Sequence, residues 1–424
     1  MKKELTYLFF IFLTAYSCLD TPDMTVGPVN LRDKPYVVSG ASASSPSGGV
    51  LSFPGEVLSV GKADKIFEKG FYWGFDPGNL TDSVMVESSD IQPGTFSGTL
   101  SNVRGDTTIY WRAFARNDFG IDTGAIRSFS TPHIFIPGDN FRAPIRMYFT
   151  SFTLGNNLYV TCGSDKTLFS DIKRYDTNTN QWWYDLPDFP GDPRRYPVAF
   201  TIDDSLAYVG TGQGPGPQIT YGDFYVFNGN TQKWDTEAIQ TPAEMPRYGA
   251  VAFSLKNKGY VVGGNTGYVS LNDVWEYSIT NNIGSWEKKN NFPEPFSEGI
   301  SFCNNGRAFA GFGGNGTDST LWEYNSVNDS WNKIIFANSP TYPQGGQAKF
   351  FSGVMVGSKI YLLDGAKIIW ELDLATKAFR QKSALPPKFL PPLNDQYMFS
   401  LGNVIYIGLG GTDLFYRYNP LWDN

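Results

Sequence analysis

Arginine, tyrosine and glutamate side chains recur at intervals of about fifty residues from residue 146 onward, and these residue types could bind an acidic or sugar ligand. The candidates are Arg146, Arg195, Tyr196, Arg247, Tyr248, Glu298 and Gln344. Arginines can hold a carboxylate through paired hydrogen bonds, and tyrosine rings can stack on a sugar. Alternatively, each arginine satisfies backbone carbonyls between neighbouring repeats. The sequence leaves both interpretations open.

Other side chains with catalytic potential are scarce. The chain has one histidine, His133, so a Ser-His-Asp triad would have to use it. No cysteine and histidine spacing fits a zinc site. The glycine-rich segment at 210–216 lacks the Lys-Ser/Thr pair of a phosphate-binding loop. We therefore predict no catalytic residue, no metal and no other cofactor, which favours a binding protein over an enzyme.

The composition predicts an all-β protein. Aromatic residues make up 16% of the chain, charged residues only 18%, and there are 45 glycines and 27 prolines. Many turns and stacked aromatic strands explain this balance better than a helical bundle does. The formal net charge of −7 provides no basic surface, so we expect no nucleic-acid partner.

A repeated unit must position the candidate side chains. Each unit has an apolar strand that ends in a glycine, a strand with an aromatic residue, and in most units a tryptophan. In the third unit these are Gly264, Tyr277 and Trp286. The glycine marks are Gly163, Gly212, Gly264, Gly314, Gly365 and Gly411. A period near fifty residues with about four strands per unit indicates propeller blades.

The glycine pair, the tyrosine and the following tryptophan resemble the kelch repeat. The resemblance covers approximately residues 132–424 and implies a six-bladed β-propeller. The sixth unit has no room for a fourth strand, because the chain ends at Asn424, soon after Tyr418. Kelch propellers commonly close their ring with a strand from the other end of the domain. We therefore predict that residues 130–137 supply the outer strand of the last blade.

The kelch resemblance also bears on function. In kelch topology, the loops that enter each first strand share one face with the loops that follow the glycine pairs, so the candidate residues would converge there. Copper oxidases of the galactose oxidase type need two histidine ligands, which one histidine cannot supply. Some bacterial kelch propellers are sialic acid mutarotases. By that analogy, Glu294 or Glu298 could act as the base, with Arg195 and Arg247 clamping a carboxylate.

Residues 33–131 alternate in the manner of a β-sandwich. The segment Ile66–Trp73 is one predicted strand and Thr107–Asn117 is another. The module resembles the fibronectin type III and Ig-like modules common in surface proteins of Bacteroidota. That resemblance implies a spacer that carries the propeller away from a membrane.

The first residues predict a targeting segment rather than structure. Lys2 and Lys3 precede a short apolar run, and Ala15-Tyr16-Ser17-Cys18 resembles a bacterial lipoprotein box. We expect cleavage after residue 17, lipidation of Cys18, a tether at 18–32, and anchoring to the outer membrane, with possible exposure at the cell surface. An ordinary signal peptide with a chance cysteine is the alternative.

The sequence thus predicts an envelope lipoprotein that displays a kelch propeller. Its partner would be a glycan or a protein bound at the loop face, without catalysis. The alternative is a sugar mutarotase or epimerase of the sialic acid type, acting on the same face. A structural scaffold in an outer-membrane complex is a third possibility.

Overall fold

The computed structural model describes residues 33–86, 92–313, 319–341, 348–389 and 396–423. These residues form β-strands and two short 3-10 helices, Pro387–Phe389 and Pro420–Trp422, and contain no α-helix. Strands such as Val50–Ser59 bury every second residue, which is the pattern of a sheet with one covered face. Throughout these ranges, no helix is long and apolar enough to cross a membrane. The predicted all-β class is confirmed.

The described chain divides into two compact units, and most of the first lies between residues 33 and 129. Its strands are β1 (Tyr36–Ser39), β2 (Ser44–Ser47), β3 (Val50–Ser59), β4 (Glu68–Gly74), β5 (Asp82–Val86), β6 (Gly94–Leu100), β7 (Thr108–Asn117), β8 (Gly120–Thr123) and β9 (Arg127–Ser130). One sheet has the order β1-β3-β2, with β6 also paired to β3. The other has the order β5-β4-β7-β8, with β9 also paired to β7.

An aromatic cluster joins these two sheets. Phe53 on β3 stacks on Trp111 of β7, with ring centroids 5.0 Å apart. Phe71 on β4 meets the same tryptophan edge-on at 5.7 Å. All three side chains are fully buried, so they form the centre of a core shared by the two sheets.

The second unit contains six antiparallel sheets of four strands each. Sheet 1 is β11 (Thr150–Leu154), β12 (Asn157–Thr161), β13 (Ile172–Asp176) and β14 (Gln181–Trp183). Sheet 2 is β15 (Val198–Ile202), β16 (Leu206–Gly210), β17 (Phe224–Asn228) and β18 (Lys233–Trp234). Sheet 3 is β19 (Val251–Leu255), β20 (Lys258–Asn265), β21 (Ser270–Thr280) and β22 (Ile283–Lys289).

The last three sheets follow the same plan. Sheet 4 is β23 (Ile300–Asn304), β24 (Arg307–Gly311), β25 (Leu321–Asn325) and β26 (Ser330–Lys333). Sheet 5 is β27 (Phe350–Val356), β28 (Lys359–Asp364), β29 (Ile368–Asp373) and β30 (Ala378–Ala384). Sheet 6 combines β10 (Phe135–Pro137) with β31 (Tyr397–Leu401), β32 (Val404–Gly408) and β33 (Phe415–Tyr418), in the order β10-β33-β32-β31.

The aromatic residues of the repeat fill the space between successive sheets. Phe253 and Tyr260 of sheet 3 stack with ring centroids 5.1 Å apart. Tyr260 then meets Tyr324 of sheet 4 at 5.3 Å, and Tyr324 meets Trp331 at 4.8 Å. Because rings of sheet 3 contact rings of sheet 4, the tyrosine and tryptophan signature stabilises the packing of sheet on sheet.

Sheet 6 is completed by a strand from the beginning of the unit. Phe135 pairs with Tyr418 and Pro137 pairs with Tyr416 in an antiparallel ladder. Sheet 6 also packs on sheet 1, where Tyr175 lies 5.5 Å from Tyr406, ring centroid to ring centroid. The prediction that residues 130–137 supply the outer strand is therefore confirmed, with Phe135–Pro137 as the paired part.

Two left-handed residues lie near the end of the second strand, or just after it, in several sheets. The first position tolerates a side chain, because φ is near +60°: it holds Cys162 at 62° and Phe312 at 56°. The second has φ of 102° at Gly264, where only glycine is comfortable. Phe312 N–H donates a hydrogen bond to the carbonyl of the residue before the third strand, as Cys162 N–H does in its own sheet. The glycine mark of the fourth unit is therefore Gly313, one residue before the predicted Gly314.

Candidate functional site

Three of the arginines that precede first strands are buried inside their own sheets. Arg146, Arg194 and Arg247 each donate two hydrogen bonds to an aspartate located just before the third strand or near its start. Each also donates to the carbonyl of the first left-handed residue, as Arg247 does to Gly263 at 2.9 Å. Arg146 is 1% exposed and Arg247 is 0% exposed. The expectation that Arg146 and Arg247 face a ligand is wrong, because they satisfy carbonyls and carboxylates within the fold.

The buried ion pairs change the acidity of the aspartates. Burial by itself would raise the pKa of Asp273, but the hydrogen bonds and charge of Arg247 outweigh burial and lower this pKa below its usual value. The pKa of Asp171 is lowered in the same way, with Arg146 opposing burial. Both carboxylates therefore stay charged and fixed at neutral pH, as parts of the fold.

Sheet 4 replaces this ion pair with an uncharged pair. Phe296 accepts a hydrogen bond from Gly264 N–H through its carbonyl, as Arg247 does from Gly212 N–H, so the two residues are equivalent. Thr320 stands where the aspartate stands in sheets 1 to 3, and its hydroxyl lies 3.3 Å from Glu294 Oε1. Glu294 is thereby paired with a residue just before the third strand of sheet 4. The described residues do not assemble the predicted clamp of Arg195 and Arg247.

Residues located just before the first strands of sheets 1 to 4, or at the start of the first strands of sheets 5 and 6, line one cavity of about 320 Å³. We call it the mouth cavity. One lining residue from each sheet, in order, is Tyr148, Tyr196, Gly249, Glu298, Phe350 and Tyr397. Tyr196 and Glu298 were predicted as site residues, whereas Tyr148 and Tyr397 were not. The missed signal is the register of the repeat, because Tyr148 follows Arg146 by two residues just as Tyr196 follows Arg194.

The lining tyrosines contact one another. Tyr148 and Tyr196 stack with ring centroids 4.4 Å apart, and Tyr248 lies 5.7 Å from Tyr196 without lining the cavity. The hydroxyl of Tyr397 accepts a hydrogen bond from Tyr148 N–H at 3.0 Å. Burial raises the pKa of Tyr196, and the charge of Glu298 raises it further. Tyr196 therefore presents a neutral ring to the cavity at physiological pH.

Arg195 lies beside the mouth cavity rather than in its wall. Its Nε donates to Gln213 Oε1 at 2.8 Å, and its guanidinium carbon lies 6.0 Å from the centre of the Tyr196 ring. Gln213 in turn donates to the carbonyl of Pro217 at 3.0 Å, which ties Arg195 to the glycine-rich loop. Arg195 is thus held at the rim by a hydrogen-bond chain.

Two predicted residues, Gln344 and Cys18, lie outside the described residues. His133 is exposed, precedes β10, and pairs through Nδ1 with Asp106. In the portion of the chain that the structure describes, no group of three or more His, Cys, Asp or Glu side chains could hold a metal ion.

Comparison with known proteins gives matches to kelch-repeat proteins. The family model described as the KLHDC2/KLHL20/DRC7 Kelch-repeats domain matches residues 148–365, just over half of the chain. Kelch domain-containing protein 10 of Homo sapiens is 26% identical over 151 residues, covering 32% of this chain and 33% of that protein. Its Xenopus tropicalis counterpart is 24% identical over 246 residues, covering 53% of this chain and 58% of that protein. The chain thus spans between a third and somewhat over half of the length of these relatives.

Among solved structures, that of YjhT aligns with a TM-score of 0.51 and 14% sequence identity. The alignment covers 66% of this chain and 95% of the YjhT chain. At this level of identity, the similarity shows a shared fold and nothing about ligand or activity.

Proposed function

Because this chain belongs to the KLHDC2/KLHL20/DRC7 Kelch-repeats domain family, we propose that its six sheets are the blades of a protein-binding propeller whose contact face surrounds the mouth cavity. Kelch repeats suit this role, since rigid blades hold loops that differ from unit to unit. A glycan is the alternative ligand on the same face.

The single observation that carries this proposal is that the segments leading into the first strands of all six sheets converge on one cavity, which is rich in aromatic residues. Phe351 at its wall is 46% exposed, so an aromatic ring is accessible at the cavity. Rigid aromatic side chains offer large contact areas at low entropic cost, so they are favoured at protein interfaces.

We further propose that the protein is a lipoprotein of the cell envelope. The support is the segment that ends in Cys18, together with the module of two sheets, which we interpret as a fibronectin type III-like spacer. In this proposal the lipid on Cys18 anchors the chain to the outer membrane and the spacer separates the propeller from the bilayer.

Site-specific photo-crosslinking tests the contact face. A photoreactive amino acid at Tyr196 should capture a protein partner on intact cells. The matched control is the same amino acid at Ile283, which is 70% exposed in sheet 3 but does not line the mouth cavity. Equal capture at both positions, or none at Tyr196, would contradict the proposed face. A glycan array, probed with the native chain and with Tyr196→Ala, would identify a sugar ligand if no protein is captured.

Metabolic labelling with a fatty-acid analogue tests the anchor. The native chain should incorporate the label and fractionate with outer membranes. Cys18→Ala should lose both the label and the membrane association. A labelled Cys18→Ala variant would show that lipidation, if any, occurs elsewhere.

A further inference from the structure

The charge of the mouth cavity is opposite to the charge expected from the sequence. Among the described residues that line the cavity, Glu298 is the only acidic residue and there is no lysine or arginine. Arg146 and Arg247, which would have made the site cationic, are buried in ion pairs. The whole chain carries a formal net charge of −7, which also attracts cations to its surface.

The aromatic rings of the mouth cavity suit a cation as well. The faces of tyrosine and phenylalanine rings attract ammonium and guanidinium groups within about 6 Å of the ring centroid. Tyr196 already has one such neighbour, because the guanidinium carbon of Arg195 is 6.0 Å from its ring centre. The rings of Tyr148 and Tyr397 line the same cavity. A second cation entering it would therefore meet several aromatic surfaces and one carboxylate.

The backbone places these side chains at equivalent positions of the repeat. Tyr148, Tyr196 and Glu298 have φ of 58°, 56° and 52°, in the left-handed region. The equivalent residue of sheet 3 is Gly249, with φ of 62°. Since glycine adopts this turn without strain, the turn itself does not require side chains at the other three positions.

Glycine at 249 also creates space for the carboxylate. A Cβ atom on Gly249 would lie 3.1 Å from Glu298 Cγ, so the glutamate side chain lies over the glycine. The charge of Glu298 reaches the hydroxyl of Tyr196, whose pKa it raises in addition to the effect of burial. Glu298 and Tyr196 therefore face the same part of the cavity from sheets 4 and 2.

We propose that the mouth cavity binds a single cationic side chain, lysine or arginine, presented by the protein partner. This inference rests on the proposed function and names the chemistry of its contact. The volume of about 320 Å³ is near the lower end of ligand pockets, about 300–1,000 Å³, which suits one long side chain. The aliphatic stem would lie against the rings while the charged group pairs with Glu298.

Short peptides with blocked ends test this inference on the full chain. Each carries arginine, lysine, norleucine or glutamate between glycines, and binding is measured by saturation-transfer NMR and calorimetry. We expect the arginine and lysine peptides to bind, and the other two to bind at least tenfold more weakly. Glu298→Gln should lower the affinity for the arginine peptide by about tenfold. Glu294→Gln, in the same loop, should leave its affinity unchanged.

A second variant separates binding from folding. Tyr196→Gly should abolish binding of the arginine peptide while the protein still folds cooperatively, because Gly249 shows that glycine fits this turn; the loss of the Tyr148 stacking contact lowers stability without preventing folding. Raising the salt concentration should weaken binding to the native chain. Preference for the glutamate peptide, equal binding of norleucine and arginine, or an unchanged affinity in Glu298→Gln would overturn the cation site.

Two further results distinguish this inference from the proposed function. Tetramethylammonium that binds as tightly as the arginine peptide, with the same loss in Glu298→Gln, would support the cation site and assign it to a small quaternary ammonium ion. A protein captured at Tyr196 in cells, without any charge preference among the peptides, would overturn the cation site and leave the protein-binding face in place.

Discussion

Arg247 and Asp273 form a two-point ion pair inside sheet 3, with Nη1–Oδ1 and Nη2–Oδ2 distances of 2.7 and 2.9 Å. The pair connects the loop before the first strand to the start of the third strand. That loop continues into Gly249, which lines the mouth cavity. The arginine therefore stabilises the loop that leads to the mouth cavity, and it does not itself line the cavity.

Removal of Arg247 should strongly destabilise the fold. Arg247→Ala leaves the Asp273 carboxylate, whose side chain is only 12% exposed, without its main partner. Breaking a buried ion pair on one side typically costs about 3 kcal/mol or more. We expect a loss of that size in the free energy of unfolding, measured by urea denaturation. A loss below about 1 kcal/mol would mean that this pair contributes no more to stability than an exposed salt bridge does.

Sheet 4 supplies the control for this experiment. Arg247→Phe combined with Asp273→Thr copies the native pair of Phe296 and Thr320 into sheet 3. The double variant leaves no unpaired carboxylate, so it should be more stable than Arg247→Phe alone. If the double variant is the less stable of the two, the ion pair is not what Arg247 contributes.

Stability should fall in acid through Asp273. Its pKa in the folded protein is lowered below the ordinary value of 3.8, because Arg247 outweighs burial. The contribution is therefore complete above about pH 4 and is lost as the pH falls through the folded pKa. We expect the urea midpoint to drop as the pH falls below about 4. Asp273→Asn should be less stable at pH 7 but show a shallower drop, and parallel curves would refute the assignment.

The architecture of the propeller-type unit could be predicted from sequence because it depends on local rules. Glycine turns, alternating apolar strands and aromatic marks recur with one period, and each rule acts over a few residues. The closing strand was also predictable, since a sheet edge after Tyr418 would otherwise stay open. Registers were less certain. Phe312 adopts the conformation that Gly263 adopts in sheet 3. The alignment of glycine pairs therefore placed the mark of the fourth unit one residue too late.

The site was harder to predict because the same residue type serves two purposes. Arg194 and Arg195 are neighbours, yet Arg194 is 0% exposed and Arg195 lies at the rim. Nothing in a Pro-Arg-Arg-Tyr segment states which guanidinium will find an aspartate about thirty residues later. The outcome depends on Asp223, placed by the next strands, which only the three-dimensional register reveals. The predicted anionic ligand followed from treating all arginines alike.

Gly264→Ala should be much more costly than an ordinary glycine substitution. The φ at this residue is 102°, and an added Cβ would lie 3.0 Å from both the Tyr248 carbonyl oxygen and Ala250 Cβ. Its N–H also bonds the Phe296 carbonyl of the next sheet at 2.7 Å. We expect a loss of about 2 kcal/mol in the free energy of unfolding. The control, Gly357→Ala, has φ of 59° and open space around it, and should cost about 1 kcal/mol.

A disulfide across the closing ladder should form and stabilise the propeller-type unit. Ile136 and Arg417 are directly paired, so cysteines at both positions should oxidise readily in a background that carries Cys303→Ser. The crosslink closes a very long loop and should add about 2–4 kcal/mol. Ile136 with Ile405, one strand further away, is the mismatched control. No oxidation of the Ile136 and Arg417 pair would contradict the closure.

Glu298→Gly should leave the fold intact or stabilise it. A left-handed conformation costs a non-glycine residue about 1–2 kcal/mol, and glycine removes that cost while adding entropy to the unfolded chain. We expect a change in the free energy of unfolding between zero and a gain of about 1 kcal/mol. Glu294→Gly, at a position without left-handed backbone, should lose about 0.5–1 kcal/mol. A large loss in Glu298→Gly would mean that the side chain is needed for folding, which would contradict the expectation drawn from Gly249.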